Sequence, residues 1–76
     1  LALAYEAMKQ GGNMPTIFNA ANEKAVALFL NRKIPYLTIP EIIEASMENC
    51  SWTAEPDVEQ ILNTEQETYE FINSRW

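Results

Sequence analysis

The chain has 76 residues, 47% hydrophobic, with five Lys or Arg against eleven Asp or Glu, no histidine and a formal net charge of −6. That length holds one domain rather than two, and the scattered cations make neither nucleic acid nor an anionic membrane surface an expected partner. The missing histidines exclude Ser-His-Asp and Cys-His machinery and any His-containing zinc site, and the lone Cys50 excludes an internal disulfide.

The first helix is expected over 1–10. Leu1, Tyr5 and Met8 fall on one face at spacings of four and three, with Ala4 beside them. It starts without a Ser, Thr, Asp or Asn cap, which reads as a helix continuing from upstream chain. Gly11-Gly12 stops it, because glycine enters the left-handed conformation without steric penalty. Pro15 suits a first turn, and strong helix formers run from 16 to 31. Ile17, Ala21, Ala25 and Leu28 form its apolar row, flanked by Phe18 and Phe29, and alanines at 20, 21, 25 and 27 permit close approach of a neighbour.

Pro35 marks the next connection. Thr38-Ile39-Pro40-Glu41 has the spacing of a capping box and predicts a third helix over 39–50, with Thr38 as its cap. Ile39, Ile42, Ile43, Ser46, Met47 and Cys50 trace its buried side, and Glu41, Glu44 and Glu48 its outer side. Residues 51–56 form a loop ending at Pro56. Asp57 could cap a short helical turn near 58–62, and Thr64-Glu65-Gln66-Glu67 repeats the capping spacing to open a last helix over 64–76. The fold class is all-α, a small four-helix bundle or orthogonal array forming a single domain over 1–76.

Asn19, Asn22 and Glu23 share a helix face at i, i+3 and i+4 and form the densest polar cluster. They are candidates for polar ties within the bundle or across an interface, against the plainer reading of a solvated surface. The carboxylates lack the spacing of a calcium loop and read as a solvated face. Cys50 has no His or Lys nearby to activate it and reads as a buried, inert thiol. Gly11-Gly12 has no lysine of a phosphate loop beside it. Trp52 is either core or anchor. Leu1, Tyr5, Met8 and Trp76 are candidate interface residues. Acyl carrier proteins are acidic four-helix domains of this size, but no serine here sits in their Asp-Ser-Leu attachment motif. From its residues the chain has no catalytic, cofactor or metal residues of its own.

Leu3-Ala4-Tyr5-Glu6-Ala7, Gly11-Gly12, Asn19-Ala20-Ala21-Asn22-Glu23 with Ala25-Val26 and Phe29-Leu30-Asn31, then Ile34 and Ile39-Pro40, resemble the C-terminal helical domain of the 1-deoxy-D-xylulose 5-phosphate reductoisomerase family. The resemblance is densest from Leu3 to Ile43. In the tail, Glu65, Glu67 and Glu70 stand where that family often has a basic final helix.

The resemblance implies a parent enzyme that makes 2-C-methyl-D-erythritol 4-phosphate in the non-mevalonate isoprenoid pathway, using NADPH and a divalent metal such as Mg or Mn. It implies that this segment is structural and inactive alone, and that its partners are the catalytic and NADPH-binding domains of the same chain. The parent is then a homodimer of the bacterial cytoplasm, or of a plastid-type organelle in a eukaryote. An isolated fragment is expected to self-associate through an exposed apolar face. The rival reading is a stand-alone acidic helical module that binds a protein partner.

Overall fold

A computed structural model describes residues 2–76. It contains four helices: α1 (Ala2–Gln10), α2 (Met14–Leu30), α3 (Thr38–Asn49) and α4 (Val58–Arg75). α2 packs against each of the other three. α1 folds back along its first half, setting Met8 near Pro15 and Ala4 near Phe18 and Asn19. α3 also runs against α2, so that Cys50 at its end meets Met14 and Ile17 at the start of α2. α4 runs in the same direction as α2, since Asn13 meets Thr64 at one end and Glu23 meets Tyr69 farther along.

The core divides into two clusters. Ala21, Ala25, Ile34, Ile42, Ile43 and Ile72 form one, and Ala7, Met14, Ile17 and Cys50 the other. Phe18, Met47 and Phe71 pack against both. Ile17, Ile42 and Ile72 are fully buried, each contributing about 1.5–3 kcal/mol of transfer free energy. Ala20, Ala21 and Ala25 are buried as the small-residue pattern predicts, whereas Ala27 is exposed. Where side chains are this short, helices can approach closely, and the few larger apolar residues must fill what remains.

Apart from Asn13, the buried polar side chains described are small hydroxyls that donate within their own helix. Ser46 Oγ donates to Ile42 O at 2.8 Å, Thr64 Oγ1 to Gln60 O at 2.7 Å and Thr68 Oγ1 to Thr64 O at 2.8 Å. This i−4 bonding removes the desolvation cost of the hydroxyl without needing a partner from another helix.

Two expected helix starts are corrected. The predicted turn near 58–62 and the helix over 64–76 are one continuous α4. Asp57 Oδ1 accepts from Gln60 N at 2.8 Å while Gln60 Oε1 accepts from Asp57 N at 2.9 Å, a reciprocal box that starts the helix at Val58. Nothing between 58 and 64 breaks it, and Thr64, whose hydroxyl serves Gln60, is a buried mid-helix residue instead of a cap. Thr38 is likewise the first helical residue and not the cap of α3. Leu37 occupies the cap position with helical dihedrals and no side-chain bond. The chain is already coiled there, with Thr38 N bonded to Pro35 O and Ile39 N to Tyr36 O. α2 likewise begins two residues before the expected 16 and ends at Leu30.

Asn13 joins three segments. It is 1% exposed, and its Nδ2 donates to Ser51 O at 2.8 Å and to Thr64 Oγ1 at 2.9 Å. Its Oδ1 accepts from Thr53 N at 2.9 Å, and its own N donates to Thr53 O at 3.0 Å. One amide thus pins the connection over 50–57 to both the start of α2 and the first half of α4. The approach of that connection explains Gly12, at φ 59, where an added Cβ would collide with Thr53 O. Gly11, at φ 67, faces open space.

Gly11→Ala should therefore lose about 1 kcal/mol from the left-handed backbone alone. Gly12→Ala should lose clearly more, because the connection at Thr53 must move, and paired chemical denaturation curves measure the difference. Asn13→Ala should cost about 3 kcal/mol by stranding Ser51 O and Thr53 N. Asn13→Asp tests the polarity of the knot. Its carboxylate faces two acceptors, so its folded pKa rises above the unfolded value. That variant should be closest to wild type below the ordinary carboxylate range and lose stability as pH rises through the folded pKa, read from denaturation midpoints at acidic and neutral pH.

Candidate functional site

α1 is short, and its inward residues are Leu3, which packs on the first core cluster, and the buried Ala7. That leaves Tyr5 and Met8 outward, 69% and 78% exposed. Because the glycine turn folds α1 back onto α2, a groove of about 310 Å³ opens between them. Ala4, Ala7, Met8, Pro15 and Phe18 line it, with Asn19 supplying the one polar side chain. An apolar floor bordered by one amide can seat an apolar side chain and hydrogen-bond a polar group beside it. No described residue of its lining carries a titratable side chain.

The predicted polar cluster is spread over three environments. Asn19 borders the groove. Asn22 is exposed and has no side-chain hydrogen bond to another described residue. Glu23 turns toward α4, where its Oε1 accepts from Tyr69 Oη at 2.8 Å. Of the predicted interface residues, Tyr5 and Met8 stand together on α1. Trp76 stacks edge-on to Phe71 with centroids 6.3 Å apart, the Arg75 guanidinium lying over both rings, and does not line the groove. Leu1 lies outside the described residues. Trp52 is half exposed, its Nε1 donating to Gly11 O at 3.1 Å.

Among the described residues no three acidic or thiol side chains gather closely enough to hold a metal ion. Cys50 is buried, and burial pushes its thiol above the ordinary range, with the Glu67 charge adding to the effect and a Thr68 hydrogen bond opposing it. A protonated, enclosed thiol is a poor nucleophile. Sequence reasoning missed Asn13 and the Glu23–Tyr69 pair. An asparagine directly after Gly-Gly and two residues before Pro is a turn signature that marks the first. No local pattern marks the second, which joins residues 46 apart.

The Glu23 hydrogen bond is the main cause holding the Tyr69 phenol above its ordinary range, followed by burial and the charges of Glu23 and Glu65. A raised phenol pKa means the tie is intact below the unfolded value near 10 and is lost as pH rises through the folded value. Glu23→Gln should bring Tyr69 ionisation back toward the ordinary range in an ultraviolet pH titration. A titration curve unchanged by that substitution would show that the bond is not formed in solution.

Residues 1–71 match the family described as DXP reductoisomerase C-terminal domain. The chain is 62% identical over all 76 residues to 1-deoxy-D-xylulose 5-phosphate reductoisomerase of Agathobacter rectalis, and 57% identical over the same span to that of Lachnospira eligens. It is 47% identical over 74 residues, 97% of its length, to that of Halalkalibacterium halodurans. These alignments cover 20%, 20% and 19% of the relatives, so the chain spans about a fifth of the curated relatives it matches. The chain belongs to the DXP reductoisomerase C-terminal domain family.

Proposed function

We propose that this chain is the helical C-terminal part of a 1-deoxy-D-xylulose 5-phosphate reductoisomerase and serves that enzyme as a docking body without catalytic residues. The observation that carries the reading is the α1–α2 groove. It is apolar, open and free of titratable groups, in a domain whose relatives are about five times its length. A groove of this kind suits a structural seat for other domains of the same polypeptide, with Met8 at its edge, Tyr5 exposed on the same helix and Asn19 as the polar tie.

The parent's reaction converts 1-deoxy-D-xylulose 5-phosphate to 2-C-methyl-D-erythritol 4-phosphate with NADPH and a divalent metal, Mg or Mn. The carboxylates described here do not converge into a metal site, so no step of that reaction is assigned to them. Under this reading the NADPH-binding and metal-binding residues lie in the remainder of the polypeptide. The parent works as a homodimer in the bacterial cytoplasm. No helix among the described residues is long and apolar enough to cross a membrane.

Met8 is exposed in the domain, so Met8→Glu should leave the melting temperature of the 76-residue chain within about 1–2 °C of wild type. In the full-length polypeptide the same substitution places a carboxylate in an apolar contact. It should lower the temperature at which NADPH-dependent turnover is lost by several degrees. Equal behaviour of wild type and variant in both settings would overturn the docking role of the groove.

A further inference from the structure

The charge of this chain is unevenly placed. Residues 24–40 hold three of the five cations, Lys24, Arg32 and Lys33, and none of the eleven carboxylates. The turn from α2 to α3 within that stretch also exposes large apolar side chains. Leu30, Tyr36 and Leu37 are 71%, 65% and 77% exposed. The turn is well fixed. Arg32 takes a left-handed φ of 59°, Arg32 N bonds Phe29 O, Lys33 N bonds Leu28 O, and the Tyr36 ring stands edge-on to Phe29 at 5.4 Å. The result is a preformed corner on an otherwise acidic domain, apolar and bearing Arg32 and Lys33, with the single carboxylate of Glu41 one turn beyond Leu37 in α3.

The complementary chemistry lies where α4 begins. Val58 and Leu62, one helical turn apart, are 74% and 59% exposed and stand among exposed Glu55 and Glu59. Since α2 and α4 run side by side in the same direction, Leu30 lies at the end where α4 finishes and Val58 at the end where α2 starts. A 17-residue α2 separates them by about 25 Å of a molecule 36 Å long. The two surfaces cannot meet within one copy.

We propose that they meet between copies: the basic, apolar α2–α3 corner of one chain seats the acidic, apolar start of α4 of a second chain. Both surfaces pair exposed aliphatic side chains with charge of opposite sign, and apolar contact supplies affinity while the charges set orientation. The contact is heterologous, joining two different patches, and it uses none of the residues that line the α1–α2 groove. It therefore stands or falls independently of the docking role proposed above.

Sedimentation velocity on the 76-residue chain over a concentration series tests it. Association is expected to weaken as salt rises from about 0.1 M, where facing charges within a Debye length of about 10 Å still attract. Arg32→Glu with Lys33→Glu should raise the dissociation constant at least about tenfold, and so should Glu55→Lys with Glu59→Lys. An equimolar mixture of the two double variants should associate again, since each then presents the sign the other needs. Circular dichroism melts of both variants establish that they are folded. Three results would overturn the proposal: a monomer at every concentration, association that strengthens with salt, or association abolished by Met8→Glu and untouched by the charge reversals. The last would place self-contact in the α1–α2 groove.

Discussion

The amide of Asn13 is the constraint on which the arrangement of this domain depends. The connection from α3 to α4 has to cross the end of the bundle at the α1–α2 turn, and it crosses as extended and irregular chain. Such backbone needs hydrogen-bond partners, and there is no strand beside it to supply them. Asn13 provides them from one side chain, serving Ser51, Thr53 and Thr64, while its main-chain N–H reaches Thr53 O. Because Asn13 precedes α2, the same contacts that hold the connection also fix where α2 begins. Through Thr64 they set how far along α2 the last helix lies.

A small bundle has particular need of such a tie. A chain of this length buries a modest fraction of its surface, and several of the buried positions are alanines that contribute little area. Close approach of helices compensates in part, through dispersion contacts along α2. The buried hydroxyls of Ser46, Thr64 and Thr68 belong to the same close packing, since none of these side chains is larger than that of valine. Their polarity is settled inside their own helices, leaving Thr64 Oγ1 with an acceptor lone pair for Asn13. Packing and hydrogen bonding are therefore coupled at Thr64: the residue small enough for the interface is also the one that receives the knot.

Much of this was legible from residue spacing. The four helices, the glycine stop, the rows Ile17–Ala21–Ala25 and Ile42–Ile43–Ser46, and the enclosed Cys50 follow from period and punctuation, which are local properties. The helix starts at Thr38 and Thr64 misled because a capping box is recognised by residue type at two positions, and threonine is also a good small residue for a tight interior. At Asp57 and Thr64 the two alternatives compete directly: the Asp57–Gln60 box starts the helix, and Thr64, further along it, is buried against Asn13. The groove was half visible, since Tyr5 and Met8 mark the outward face of α1. Asn19, Asn22 and Glu23 share a face in sequence, but a face of α2 spans about 100°, wide enough to border two different neighbours. Asn19 accordingly looks toward α1 and Glu23 toward α4.

The same geometry sets where the polar groups of this domain lie. Catalysis by acid–base or metal means needs several polar groups brought to one point and held there. In this fold polar groups converge at Asn13, whose amide bonds backbone and Thr64, and at the Glu23–Tyr69 tie between α2 and α4. The described carboxylates are spread over all four helices and the connection before α4, and no three of them gather closely enough to hold a metal ion. The apolar groove between α1 and α2 is bordered by Asn19, while Glu23 of the same helix turns to Tyr69 on α4, so the neighbours of α2 decide which of its polar side chains meets which surface.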